Sequence, residues 1–204
     1  MNKDYVHLCI VLDSSGSMDV IADDIKGSFK TFLEEQKREE GKTVVDVFQF
    51  SDRTRRIVKR ADLADCANDI MDSYRCDGMT ALHDAVCTAI DTLGAEFAAM
   101  AEEERPAKVL FNIVTDGHEN ASRKFTLQDV KERIDRQTNE YSWEFHYLAA
   151  DQDEFEARQI SRSMGVCQSA VSPKRALSGT LCQTMSESLQ FAKRPRQQKP
   201  DSSK

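Results

Sequence analysis

The 204-residue chain is long enough for one α/β domain of ordinary size and does not require two. Hydrophobic residues make up 40% of it and charged residues 31%, a balance typical of a globular protein rather than a disordered or fibrous one. The net charge of −7 argues against nucleic acid as a partner, because phosphate binding requires clustered Lys and Arg side chains.

No apolar run approaches the roughly 20 residues that cross a membrane, and the first apolar run, residues 5–12, lacks the cleavage pattern of a signal peptide. We therefore predict no export and no contact with a membrane. The six cysteines are scattered without a C-x-x-C pair, and several lie inside apolar runs, where a thiol behaves as a small hydrophobic group. This usage predicts reduced thiols and a cytoplasmic protein.

The first half of the chain alternates between strand and helix patterns. Residues 5–12 are almost continuously apolar, as in a parallel strand covered on both faces. Apolar residues then recur at helical spacing over 21–37, and Gly41 is expected to end that helix. Residues 43–50 and 53–58 are predicted strands, and the short connection between them indicates an antiparallel edge of the sheet.

The same alternation continues to the end of the chain. We predict a short helix over 63–71, a long helix with its apolar stripe from Leu82 to Phe97, strands at 108–115 and 143–149, helices around 127–134, 155–160 and 177–189, and a short apolar stretch at 166–171. Repeated strand-helix units imply right-handed crossovers. The predicted fold class is therefore α/β, a three-layer α/β/α, doubly wound, mostly parallel sheet with one antiparallel edge strand.

Residues 1–192 are expected to form this domain, and residues 193–204 a basic, disordered tail with two Pro and no apolar residue. The net charge of +4 on the tail leaves −11 on the rest of the chain. Two roles for the tail follow from its charge. It is either a solubilising end or an electrostatic arm that docks on an acidic surface.

Two of the most apolar strands end at an aspartate. Asp13 ends the first and is followed by Ser14-Ser15-Gly16-Ser17, and Asp116 follows the strand at 108–115. Open α/β sheets bind ligands at the carboxyl ends of their strands. Carboxylate and hydroxyl oxygens are hard ligands that suit Mg²⁺, and a divalent cation would offset the cost of burying the two acids. The pattern therefore predicts a cation site at this edge.

Three motifs follow one another in a known order. Asp13 to Ser17 reads D-x-S-x-S, Gly78 to Ala85 reads G-x-T-x-L-x-D-A, and Thr115 to Gly117 reads T-D-G. In these motifs the sequence resembles the von Willebrand factor type A domain with its metal-ion-dependent adhesion site. The resemblance covers residues 5 to about 190 and implies a Rossmann-like fold.

Carried over residue by residue, the resemblance implies that Ser15 and Ser17 bind the metal directly and that Thr80 does so directly or through water. Asp13 and Asp116 would hold coordinating water molecules. The implied ion is Mg²⁺ or Mn²⁺, with Ca²⁺ as an alternative, and the implied partner is a protein that offers a carboxylate to the ion. The resemblance is to stand-alone, intracellular members of bacterial type, which bind rather than catalyse, and it leaves the oligomeric state open.

One local departure and one competing class remain. Many bacterial members continue T-D-G with an acid, whereas His118 stands here, either as a solvated loop residue or as a rim residue that contacts the partner. The alternative function is a Mg²⁺-dependent phosphohydrolase of haloacid-dehalogenase type, with Asp13 as the nucleophile. That class expects a second aspartate where Ser15 stands.

Overall fold

A parallel sheet with one antiparallel edge forms the centre of the protein, as seen in a computed structural model that describes residues 2–36, 42–63, 65–66, 72–150, 154–166, 168–172 and 174–193. The sheet has six strands within these residues. They are β1 (Asn2–Asp13), β2 (Lys42–Phe50), β3 (Thr54–Asp62), β4 (Pro106–Thr115), β5 (Glu144–Ala150) and β6 (Gln168–Ser172).

Helices cover both faces of the sheet. They are α1 (Ala22–Gln36), α2 (Leu82–Ala98), α3 (Leu127–Tyr141), α4 (Glu154–Ser163) and α5 (Lys174–Lys193). Two short 3-10 helices, Gly16–Ile21 and Glu102–Glu104, precede α1 and β4. The predicted fold class is confirmed.

The order of the strands places the site of interest. It runs β3-β2-β1-β4-β5-β6, and every neighbouring pair is parallel except β2 and β3. After β1 the chain forms β2 and β3 on one side of β1, and it then crosses to form β4 on the opposite side of β1. The carboxyl ends of β1 and β4 therefore flank the point where the strand order reverses, which is where open α/β sheets form a crevice.

The sheet separates two apolar cores because successive side chains of a strand point to opposite faces. Along β1, Leu8, Ile10 and Leu12 face the core under α1 and α5, whereas Cys9 and Val11 face the core under α2, α3 and α4. All five of these side chains are completely buried. This double burial explains why residues 8–12 of β1 are apolar without a break rather than alternating.

Strand β3 extends further along the chain than the sequence predicts. The expected strand at 53–58 begins at Thr54 and continues to Asp62, with shifts in its pairing with β2 and with a positive φ of 45° at Arg60. The extension is polar, as is usual for an edge strand. Apolar periodicity therefore could not reveal it.

Several predictions fall on residues outside the described ranges. These are most of the short helix at 63–71, the helix end at 37–41 and the tail from 194 onwards. Among the described residues, five cysteines form no disulfide: Cys9, Cys66, Cys76, Cys87 and Cys182. Within the described part of the chain, no helix combines the length and the apolar composition that crossing a lipid bilayer demands.

Candidate functional site

Asp13 ends β1 in a fully buried position beside the end of β4. Its Oδ1 atom accepts the backbone N–H of Ser15 at 2.7 Å, and its Oδ2 atom accepts the hydroxyl of Thr115 at 2.6 Å. The hydroxyl of Tyr74 donates to the main-chain oxygen of Asp13 at 2.7 Å. The carboxylate is therefore fixed in direction by neutral donors.

The loop after β1 brings two hydroxyl groups together. Ser15 Oγ and Ser17 Oγ lie 3.2 Å apart, and the Ser17 hydroxyl donates to Asp116 Oδ1 at 2.7 Å. Ser15 is buried and Ser17 is exposed, so the pair extends from the interior to the surface. The structure thus joins Ser15, Ser17 and Asp116 in one chain of polar contacts.

Thr80 reaches the same place from the loop before α2. That loop is hydrogen-bonded to the first one, since the Gly16 N–H donates to the Gly78 oxygen at 3.1 Å and the Asp77 N–H donates to the Ser14 oxygen at 2.8 Å. Gly78 has a φ of 79°, which glycine adopts without strain. The side chain of Thr80 is almost completely buried.

Gly117 allows the Thr80 side chain to lie close to the end of β4. A Cβ atom at Gly117 would stand 3.0 Å from Thr80 Oγ1 and 3.8 Å from Asp13 Oδ2. A side chain at this position would therefore push the Thr80 hydroxyl away from the end of β4. The structure brings together all five predicted site residues, namely Asp13, Ser15, Ser17, Thr80 and Asp116.

Burial governs the electrostatics of Asp13. It raises the pKa of this carboxyl group to about 6, although the hydrogen bonds from Thr115 and Ser15 act in the opposite direction. Within the described residues, Asp13 forms no ion pair with a Lys, Arg or His side chain. A cation beside it would favour the ionised form.

The donor set fits a hard divalent cation better than zinc. Among the described residues, no three His, Cys, Asp or Glu side chains form a group that could hold a metal ion. A metal here would depend on the hydroxyl oxygens of Ser15, Ser17 and Thr80, with the two carboxylates behind them. Oxygen ligands with little formal charge suit Mg²⁺ and Mn²⁺.

The loop after Gly117 is tied to the N-terminus of α2. Glu119 accepts the His83 N–H at 2.9 Å and the Ser122 N–H at 2.7 Å, and the Asp84 carboxylate accepts the N–H groups of three residues, Arg123, Lys124 and Phe125. Burial opposes the ionisation of Glu119 and of Asp84, but these hydrogen bonds outweigh it and lower both pKa values.

Sequence reasoning missed three residues that support the site: Tyr74, Thr115 as the partner of Asp13, and Asn120, whose Oδ1 atom accepts the Thr80 N–H at 2.9 Å. Thr115 and Asn120 lie in and just after the T-D-G motif, which was the available signal. His118 is exposed, in agreement with a loop position. His7 and His146 are buried within strands, as expected.

Comparisons with known proteins agree with this architecture. A vWF domain from the type V pili tip protein Mfa5 of Porphyromonas gingivalis is similar over 95% of this chain and 98% of its own, with a TM-score of 0.64 and 8% identity. A von Willebrand factor type A protein from Catenulispora acidiphila matches over 91% of this chain with a TM-score of 0.62 and 14% identity. The pilus adhesin SpaC from Lactobacillus rhamnosus GG matches over 90%, with a TM-score of 0.65 and 15% identity.

This chain spans only 42% of the Catenulispora protein and 30% of SpaC. At these identities the likeness shows the fold alone. No curated protein sequence matches the chain significantly. The sequence model of the von Willebrand factor type A domain matches residues 7–174, which is most of the chain, and it gives no support to the phosphohydrolase alternative. The chain therefore belongs to the von Willebrand factor type A domain family.

Proposed function

We propose that the protein is a metal-dependent binding module that engages an acidic group of a partner protein. The observation that carries the proposal is the meeting of the Ser15 and Ser17 hydroxyls, 3.2 Å apart, with the carboxylate of Asp116 directly behind them. Members of this family are generally adhesion or interaction modules. The metal requirement and the acidic partner are our proposals for this chain.

The charge of the donor groups supports the choice of partner. Ser15, Ser17 and Thr80 are neutral, so that Mg²⁺ or Mn²⁺ held by their hydroxyls would keep a positive charge and attract a carboxylate of the partner. Asp13 and Asp116 would balance part of that charge and orient coordinating water. The buried carboxylate of Asp13 is already aligned for this role by Ser15 and Thr115.

The surroundings of the hydroxyls add an apolar component. Val20 is 81% exposed and follows Ser17 by three residues in the same 3-10 helix, and Met79 is 50% exposed and directly precedes Thr80. Exposed apolar side chains beside a polar site are typical of protein contact surfaces. We therefore expect the partner to present its acidic residue next to apolar side chains.

Thermal unfolding with and without Mg²⁺ tests the metal site. An ion that binds only the folded state stabilises it by about 2.7 kcal/mol when its concentration is 100 times the dissociation constant. Replacing both hydroxyls, as Ser15→Ala with Ser17→Ala, should abolish this gain and leave the metal-free protein folded. The matched control is Ser163→Ala with Ser188→Ala, because each of these hydroxyls donates to a carbonyl group of its own helix. An undiminished Mg²⁺ response in the first double variant would contradict the proposal.

Partner capture tests the second half of the proposal. Affinity purification from the native cell in Mg²⁺ should yield a partner that is lost on adding a chelator and lost with the Asp13→Ala variant. Equal capture by Asp13→Ala would show that binding uses another surface.

We also propose that the protein works in the reducing cytoplasm. The five cysteines that the structure describes form no disulfide, and Cys167 lies outside the described residues. Titration of the denatured, unreduced protein should find six reactive thiols. Thiols that react only after a reductant is added would indicate a disulfide and contradict this location.

A further inference from the structure

The main-chain N–H and the main-chain oxygen of Thr80 are both hydrogen-bonded to one residue. Asn120 Oδ1 accepts the Thr80 N–H at 2.9 Å, and the Asn120 N–H donates to the Thr80 oxygen at 3.0 Å. The N–H of Ala121 donates to the same oxygen at 3.3 Å. These contacts join two loops that lie 40 residues apart in sequence. Asn120 itself follows Gly117, the last residue of the T-D-G motif, by three residues.

Residues 118–125, which we call the clamp loop, are themselves anchored on α2. The residue before this helix, Ala81, provides no side-chain cap, although the first N–H groups of a helix require acceptors. The clamp loop supplies them, because Glu119 accepts the His83 N–H at 2.9 Å and the Ser122 hydroxyl accepts the Asp84 N–H at 3.0 Å. A carboxylate at this place also interacts favourably with the helix dipole.

The clamp loop and α2 both begin next to residues of the candidate metal site. The clamp loop begins directly after Asp116 and Gly117, and α2 begins two residues after Thr80. Thr80 Oγ1 already lies 3.0 Å from the place that a Cβ atom at Gly117 would take. The loop that carries Thr80 is therefore fixed to the loop that carries Asp116, and a displacement of one requires the loss of several hydrogen bonds.

We propose that Asn120 is a positioning residue for the metal site: it fixes the main chain of Thr80 so that the Thr80 hydroxyl lies against Gly117, while Glu119 anchors the loop that carries Asn120. This inference rests on the proposed function, since Thr80 is one of the proposed ligands. A ligand that is already in place costs less to order when the ion binds. Asn120 therefore acts on the ion only through Thr80.

A double-mutant cycle with Mn²⁺, measured by calorimetry, tests this dependence. We expect Thr80→Ala to weaken Mn²⁺ binding about fivefold and Asn120→Ala about threefold, the size of one partly exposed hydrogen bond. The double variant should bind no more weakly than Thr80→Ala alone, because residues that act through one another are not additive. Asn139→Ala, on the exposed surface of α3, is the matched control and should leave the affinity unchanged.

Losses that add in the double variant, or an unchanged affinity in Asn120→Ala, would overturn the role of Asn120 and leave the proposed function standing. A parent protein that does not bind Mn²⁺ would overturn both. If Asn120→Ala does not fold, Asn120→Ser takes its place in the cycle, since its short side chain keeps a polar group but does not reach the Thr80 amide.

Amide hydrogen exchange of the metal-free protein gives a readout that does not depend on the ion. The Thr80 N–H should exchange slowly in the parent protein, because it is bonded to Asn120 Oδ1, and faster by about threefold or more in Asn120→Ser. Amides in the centre of β1 should not change. Rapid exchange at Thr80 in the parent protein would overturn the inference.

Discussion

Two aspartates of the sheet, Asp13 and Asp46, are completely buried, but their carboxyl pKa values are shifted in opposite directions. Asp46, on β2, accepts a hydrogen bond from Arg56 Nε and lies 3.0 Å from His7 Nε2. Burial opposes the ionisation of Asp46, but the His7 and Arg56 contacts outweigh it and lower its pKa. Asp13, at the end of β1, accepts hydrogen bonds from neutral donors, among them the Thr115 hydroxyl and the Ser15 amide, and burial raises its pKa to about 6.

The opposite pKa shifts indicate that Asp46 is a structural carboxylate, whereas Asp13 is a carboxylate positioned for a ligand. The charge of Asp46 is balanced inside the protein by Arg56, which also binds Glu96 Oε2 at 2.8 Å. Burying a charge without a partner is costly, and a protein tolerates that cost mainly where function requires it. Hydrogen bonds from Ser15 and Thr115 orient the Asp13 carboxylate but do not neutralise its charge. A bound divalent cation would supply that countercharge.

The largest effect is expected from breaking the internally balanced site. Asp46→Asn should lower the free energy of unfolding by about 3 kcal/mol, because it leaves the buried end of Arg56 without its carboxylate. The loss should be the same with and without Mg²⁺. Urea unfolding measures it, with Asp135→Asn as the control, since the half-exposed pair of Asp135 with Lys131 should contribute less than about 1 kcal/mol. An equal loss in both variants would contradict the comparison.

Asp13→Asn should have the opposite sign in metal-free protein. A pKa raised from 3.8 to about 6 means that the folded state binds a proton more readily than the unfolded state, so ionised Asp13 destabilises the protein above pH 6. The variant should therefore be more stable than the parent by ~2 kcal/mol at pH 8. The advantage should shrink as the pH falls through about 6 and vanish below about 4.

Urea unfolding at several pH values, with a chelator present, follows this difference. The neutral amide can be accommodated, because the Thr115 hydroxyl also reaches the Gly117 oxygen at 3.2 Å and can donate there instead. The variant should also lose the stabilisation by Mg²⁺. A variant less stable than the parent at pH 8 would show that Asp13 is a structural carboxylate like Asp46.

The sequence predicts much of this comparison but not all of it. Apolar runs ending at Asp13 and Asp116 identify the strands and the edge where they end, and three motifs identify the hydroxyls. The pairing of Asp46 with Arg56 was not predicted, because a contact between polar side chains of two neighbouring strands leaves no pattern in the sequence, even though both strands were predicted. The contact of Asn120 with Thr80 was not predicted either, since hydrogen bonds between distant loops leave no local pattern.

Removing the carboxylate of Asp116 should weaken Mg²⁺ binding more than removing the hydroxyl of Thr80. Asp116→Ala should weaken Mg²⁺ binding by about tenfold or more, because a group that supports metal ligands is lost together with its charge. Thr80→Ala should weaken it only about fivefold, since Ser15 and Ser17 remain. Calorimetry measures both, with Asp135→Ala as the control for the loss of an acidic side chain. The reverse order would indicate that Asp116 does not support the ion.

The smallest effect is expected at the apolar side chains beside the site. Val20 and Met79 should contact the partner and not the ion, because neither can bind a metal through oxygen and both are exposed. Val20→Ser and Met79→Ser should each weaken binding of the purified partner by about 1 kcal/mol, the value of a partly buried apolar side chain. The rise in melting temperature with Mg²⁺ should be unchanged in both. Leu127→Ser, an exposed apolar position at the start of α3, is the control.

If all three substitutions weaken partner binding equally, the apolar contact is not specific to the rim of the site. If Val20→Ser instead abolishes the Mg²⁺ response, the loop after β1 must depend on Val20 for its shape, and the division between a metal-holding interior and a partner-binding rim would be wrong.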